Sequence, residues 1–135
     1  MGKNKNAKYK EENEAFLQIK AESGEYEILK GGMLMRYIER GEGDRCPGLS
    51  DIVFCHYKGS LIDGSVFDST EGEPYPAYFR VRELIEGWQI ALVRMHAGDK
   101  CEIILPAKMG YGSSRVDGIP GNSTLIFELE LVKIS

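Results

Sequence analysis

CHYKGSLIDGSVFD, residues Cys55 to Asp68, is the stretch whose reading decides the fold. It places Tyr57 at the end of an apolar run, turns through Gly59 and Asp63-Gly64, and ends on an aromatic residue beside an acid, Phe67-Asp68. Asp-Gly between extended segments is a hairpin signal, because glycine tolerates the positive φ that such a turn needs. The predicted hairpin holds Tyr57 close to Phe67 and Asp68. Taken alone, a phenylalanine next to an aspartate reads more readily as core beside a turn acid than as a site. What the pair does depends on what the rest of the chain points at it.

The hairpin's first limb belongs to a strand over Asp51 to Lys58, in which Val53, Cys55 and Tyr57 alternate against Ile52, Phe54 and His56. That alternation removes one tempting reading. Cys55 and His56 look like a nucleophile and its base, yet neighbours on a strand point to opposite faces and share no proton there. A lone histidine in this setting reads as structural. Upstream, turn residues Gly41 to Gly48 separate this strand from two others, one around Tyr26 to Leu29 and one at Met33 to Glu39. Residues 1 to 22 are rich in Lys and Glu, with Ala15, Phe16 and Ile19 as candidates for one apolar helical face, and they predict a helical or frayed arm.

Downstream, Thr70 to Pro76 is a loop and Tyr78 to Val81 is extended. Leu84 to Met95 then changes period: Trp88, Ala91, Leu92 and Met95 stand at i, i+3, i+4 and i+7, the stripe of an amphipathic helix. Lys100 to Leu105 is a strand, and Ala107 to Asn122 a long loop rich in glycine, of the kind that usually carries function. Leu125, Phe127, Leu129 and Leu131 alternate along the last strand. Five to six strands and one firm helix predict an α+β domain, its antiparallel sheet wrapped around that helix, with an N-terminal helical arm. The division expected is residues 1–30 as arm and 31–135 as domain.

At 135 residues the chain suits one compact domain with a modest tail. A formal net charge of -4, with no basic cluster beyond the first ten residues, argues against nucleic acid and anionic membrane as partners. Three cysteines without a C-x-x-C spacing indicate neither a zinc site nor a disulfide framework, and no cofactor motif stands in the chain. Free thiols and the lack of a long apolar run predict a cytoplasmic protein, or an exported form whose leader has been removed. Met1-Gly2 resembles a myristoylation start, but Asn6 stands where Ser or Thr is expected.

Five segments in order carry a resemblance to a known family: His56-Tyr57-Lys58-Gly59, then Asp63-Gly64 with Phe67-Asp68-Ser69, then Leu84-Ile85-Glu86-Gly87-Trp88, then Tyr111-Gly112, then Ile119-Pro120 with Thr124-Leu125-Ile126-Phe127. Over residues 33 to 134 the chain resembles the FKBP family of peptidyl-prolyl cis/trans isomerases, the immunophilins that bind tacrolimus and rapamycin. The resemblance implies a half-barrel sheet around a helix with a shallow apolar pocket between them. Its walls would be Tyr57, Phe67, Asp68, Leu84, Ile85, Tyr111 and Phe127, with Trp88 as the floor and Tyr75 as a further wall aromatic. Gly121 stands where a second proline is common in the family, and the segment before Gly118 is a residue shorter. Both departures bear on loop shape and substrate preference.

The chemistry implied needs no nucleophile or metal. An X-Pro bond rotates over a barrier of roughly 18 to 20 kcal/mol set by amide resonance, and no covalent bond breaks. By analogy with the family, Trp88, Phe67, Phe127 and Ile85 would take the prolyl ring with Leu84 beside them, and the Tyr111 hydroxyl and the Ile85 backbone N–H would donate to flanking carbonyls. Asp68, held by Tyr57, would face the displaced amide carbonyl. The expected substrates are proline-containing polypeptides during folding. The rival reading is a non-catalytic FKBP-like binding or chaperone module, against which stands the presence of Asp68, Trp88 and Tyr111 together.

Overall fold

The computed structural model describes residues 4–135. Met1-Gly2, and with them the start of the predicted arm, lie outside the described residues. Helix α1 runs Lys5–Glu22, opened by Asn4, whose side-chain oxygen accepts from the Ala7 amide at 2.8 Å. Such a cap satisfies one of the first turn's orphan donors. Strands β1 (Glu27–Ile28) and β2 (Leu34–Glu39) follow, then β3 (Ile52–Ser60), β4 (Val66–Ser69) and β5 (Ala77–Arg80). Helix α2 spans Glu86–Leu92, and β6 (Lys100–Leu105) and β7 (Leu125–Ile134) complete the chain.

All the strand pairings are antiparallel, in the order β1-β2-β6-β7-β3-β4, with β5 pairing the first half of β3. The seven strands exceed the five to six expected because the free edge of β3 is shared: β5 pairs Ile52 to Cys55, and β4 pairs Lys58 to Ser60. Thr70 completes the gap between them. Its N–H donates to the Tyr57 carbonyl at 2.9 Å, and its hydroxyl oxygen accepts from the Tyr57 N–H at 2.9 Å. The sheet curls around α2 without closing, since β1 and the β4/β5 side remain edges.

Alternation reads out as burial. Val53 and Cys55 of β3, Cys101, Ile103 and Leu105 of β6, and Leu125, Phe127, Leu129 and Leu131 of β7 are buried against Trp88, Ala91 and Leu92 of α2. The helix is shorter than its stripe. Leu84 and Ile85 are extended, and after Leu92 the chain tightens through Arg94 N–H to Ala91 O and Met95 N–H to Leu92 O, both 3.1 Å. Met95 is nevertheless fully buried, so the periodicity marked the packing correctly and the helix ends imprecisely. Gly87 explains how close α2 lies to the sheet, because a Cβ there would collide with the Leu105 side chain.

Two readings of the sequence change. The apolar face predicted for the arm is not what docks: Ile19 is 67% exposed, and among the described residues of α1 it is Asn13 that is buried. Hydrogen bonds from Asn13 and Tyr9 tie the helix to the loop before β7. Second, the long loop is folded. Val116 and Ile119 exchange backbone hydrogen bonds of 3.1 and 2.7 Å across Asp117 (φ 45°) and Gly118 (φ 83°), a two-residue turn of the kind that needs positive φ twice.

Candidate functional site

The hairpin turn forms as its Asp-Gly pair predicts. Gly64 sits at φ 88°, its N–H donating to the Leu61 carbonyl at 2.9 Å, and the Asp63 carboxylate caps the turn through the Ser65 N–H at 2.9 Å. Gly59 is not a turn residue. It lies inside β3, opposite Phe127 on one side and Asp68 on the other. A Cβ at Gly59 would come within 2.6 Å of Phe67 and 2.7 Å of Phe127, so only glycine lets those two rings meet above the strand. Their centroids stand 5.6 Å apart, edge to face.

Trp88 is the hub of this arrangement. Tyr57, Phe79 and Phe127 surround its indole at 5.1, 5.7 and 5.3 Å, with interplanar angles of 80°, 86° and 90°. Edge-to-face packing of this kind is favourable because each ring's positive edge meets a negative face. Three strands and a helix therefore fix one box of rings. The indole Nε1 is buried without a hydrogen-bond partner among the described residues. A buried donor left unpaired is costly.

Above the indole lies a cavity of about 130 Å³ lined by Tyr57, Phe67, Asp68, Phe79, Leu84, Ile85, Trp88, Tyr111 and Phe127. Eight of the nine are residues that the sequence singled out. Tyr75 is not among them: it is 79% exposed on the loop before β5. Phe79 takes the wall position instead. The signal was present in the alternation of β5, where Tyr78 points outward at 70% exposure and Phe79 inward, but it becomes legible only once β5 is known to pair with β3. A larger cleft of about 370 Å³ lies elsewhere, on the sheet's outer side, among Lys58, Glu71, Glu128 and Glu130. Its charged walls do not suit an apolar ring.

The pocket's polar groups are the Tyr57–Asp68 pair, the Tyr111 hydroxyl and the backbone at Ile85. The Tyr57 hydroxyl donates to Asp68 Oδ2 at 2.7 Å. Burial, and then this bond to a carboxylate, push the Tyr57 hydroxyl well above its ordinary value of 10. The Tyr111 hydroxyl is raised as well, by burial and by the charge of Asp68. Both phenols therefore stay protonated as donors across the physiological range. Ile85 precedes the first turn of α2, its carbonyl accepting from the Trp88 and Gln89 N–H groups at 3.1 and 3.2 Å, while its own N–H meets no acceptor among the described residues. That N–H stays free for a ligand.

His56 and Cys55 take no part. His56 Nδ1 lies 3.1 Å from the Thr70 hydroxyl on the far side of the sheet. Cys55 is fully buried and its thiol is pushed up to about 12, chiefly by burial.

The model of the family described as FKBP-type peptidyl-prolyl cis-trans isomerase matches residues 43–132. The chain is 41% identical over 126 residues to the outer membrane protein MIP of Legionella longbeachae, covering 93% of this chain and 54% of that one. It is 37% identical over 128 residues to the FKBP-type peptidyl-prolyl cis-trans isomerase FkpA of Escherichia coli K12, covering 95% and 46%. The chain thus spans about half the length of these curated relatives. Among solved structures, FkpA from Escherichia coli superposes with a TM-score of 0.89 at 32% identity, covering 96% of this chain and 61% of that one. A peptidyl-prolyl cis-trans isomerase from Pseudomonas syringae superposes with a TM-score of 0.86 at 28% identity, covering 100% and 99%.

Proposed function

This chain belongs to the FKBP-type peptidyl-prolyl cis-trans isomerase family, and from that membership we propose that its pocket accelerates rotation about X-Pro bonds in polypeptides. One observation carries the reading: a ring-sized apolar box floored by Trp88 opens directly onto the Tyr57–Asp68 pair and the Tyr111 hydroxyl.

The mechanism follows from what rotation does to an amide. Twisting the C–N bond removes resonance, so the transition state has less charge separation than either planar isomer. A site that strips water from the amide and seats the prolyl ring favours the twisted form over both ground states. Trp88, Phe67, Phe79, Phe127 and Leu84 provide the apolar seat. The Ile85 N–H and the Tyr111 hydroxyl donate to the carbonyls flanking the proline, which fixes the chain while the bond turns. Asp68, steadied by Tyr57, faces the displaced carbonyl electrostatically and transfers no proton. The substrates proposed are flexible proline-containing polypeptides, for which uncatalysed isomerisation takes tens to hundreds of seconds.

A protease-coupled assay on an X-Pro peptide tests this. The unmutated chain should accelerate the slow phase, and Asp68→Ala, Trp88→Ala and Tyr111→Phe should each reduce kcat/KM. No acceleration by the unmutated chain removes the enzyme reading and leaves the binding-module alternative. Tacrolimus or rapamycin should compete for the same pocket. The relative from Legionella longbeachae is named an outer membrane protein, which favours an exported protein over a cytoplasmic one. No helix among the described residues is long and apolar enough to cross a membrane. Fractionation of cells decides the compartment.

A further inference from the structure

We propose that Asn13 of α1 is a positioning residue for the pocket, acting through the loop between β6 and β7 to set where Tyr111 stands. The inference rests on the isomerase reading and extends the functional unit into the N-terminal helix.

A polar helix that merely trailed from the domain would keep its amides in water. Asn13 does the opposite: it is 1% exposed, and both its side-chain nitrogen and its side-chain oxygen have fixed partners. The Nδ2 group donates to the Tyr9 carbonyl one turn back at 2.8 Å, which locks the rotamer. Oδ1 then accepts from the Thr124 backbone N–H at 2.8 Å, and the Asn13 carbonyl accepts from the Thr124 hydroxyl at 3.1 Å. Two hydrogen bonds thus clamp Thr124, the residue immediately before β7.

Tyr9 adds a second tether. Its hydroxyl and the Ser123 Oγ are 2.6 Å apart, and Ser123 Oγ also lies 2.7 Å from the Pro120 carbonyl. A serine hydroxyl has one proton, and a carbonyl can only accept, so Ser123 donates to Pro120 and Tyr9 donates to Ser123. The helix therefore holds the loop's return limb at Pro120, Ser123 and Thr124.

That limb in turn holds the outgoing one. The Asn122 N–H donates to the Gly112 carbonyl at 2.9 Å, and Gly121 packs on the Ser113 carbonyl with no room for a side chain. Gly112 (φ 65°) also donates to the Ala107 carbonyl at 2.8 Å. Tyr111 sits between two glycines and is 36% exposed. Its place over the pocket is set by Gly112, Gly112 by Asn122, and Asn122 by residues that α1 clamps. A shift of the helix would pass to a hydroxyl that has to meet a carbonyl within a few tenths of an ångström.

A double-mutant cycle on the full chain tests the proposal. Asn13→Ala should lower kcat/KM on an X-Pro peptide by about tenfold, since small misplacements of a positioning group cost rate steeply. Tyr9→Phe, which removes only a hydroxyl, should act in the same direction and carries the cycle if Asn13→Ala does not fold. In a Tyr111→Phe background, either change should cost less than about twofold, because the group being positioned is gone. A merely structural role predicts equal losses with and without the Tyr111 hydroxyl, and additive losses would overturn the inference. An inactive unmutated chain would overturn the isomerase reading and this inference with it. An active chain with an additive cycle overturns this inference alone.

Discussion

Tyr57 and Asp68 stand 11 positions apart in the chain, and the 2.7 Å bond between them is made by the hairpin alone. Their pairing gives a pH prediction. The Tyr57 and Tyr111 hydroxyls both titrate above the ordinary tyrosine value of 10, so between about pH 6 and pH 9 no donor in the pocket changes state. The kcat/KM profile should be flat there, and a bell centred near neutrality would point to a titrating group that the pocket lacks. The sign for stability is also fixed. A raised folded value means that the native state holds its proton where the unfolded chain has already released it. Stability at these two sites is therefore lost as pH rises above 10, and denaturant midpoints measured across that range should fall. The three thiols give a second expectation. Cys55 and Cys101 are fully buried with thiols pushed up to about 12, while Cys46 is partly exposed with the His96 Nε2 3.6 Å from its sulfur. Folded protein should take up one equivalent of iodoacetamide, at Cys46, and labelling of three would show that the core opens. At this scale most of the pocket was legible, because Tyr57, Phe67, Trp88 and Phe127 each fall in a motif. Tyr75 was expected where Phe79 stands, because a wall position depends on strand pairing, which the resemblance alone does not supply.

Elements were legible wherever a face is buried. The alternation in β7 and the stripe of α2 predicted what packs, since burial on one side imposes a period on the sequence. What the periods could not supply was close approach. Gly59 read as punctuation, yet it is a packing glycine in mid-strand, and its role appears only when Phe67 and Phe127 are seen to meet over it. Gly59→Ala should therefore push both rings outward, costing about 1–3 kcal/mol in denaturant unfolding and weakening ligand binding in the pocket. Retention of both stability and binding would mean that the rings have slack that the contacts do not show. Helix α1 illustrates the opposite limit. Its docking runs through hydrogen bonds from Asn13 and Tyr9 to residues 111 and 114 positions away, and such pairings leave no periodic trace.

For the molecule as a whole, the α+β class and the wrapped sheet followed from counting elements. A macrolide that fits the pocket binds the native state alone, so rapamycin at about 100 times its Kd should stabilise the fold by about 2.7 kcal/mol and raise Tm by several degrees. An unchanged Tm at saturating ligand would separate this pocket from the drug-binding members of the family. The sheet's margins carry one more consequence. At one side stands β1 with two residues, next to Arg36 to Glu39 of β2, which β1 does not cover; at the other, β4 and β5 offer four each, interrupted by Thr70. Long unpaired margins recruit foreign strands. Short margins of this kind leave a protein whose proposed clients are unfolded chains, themselves ready to add to any exposed strand, with little edge on which their aggregates could seed.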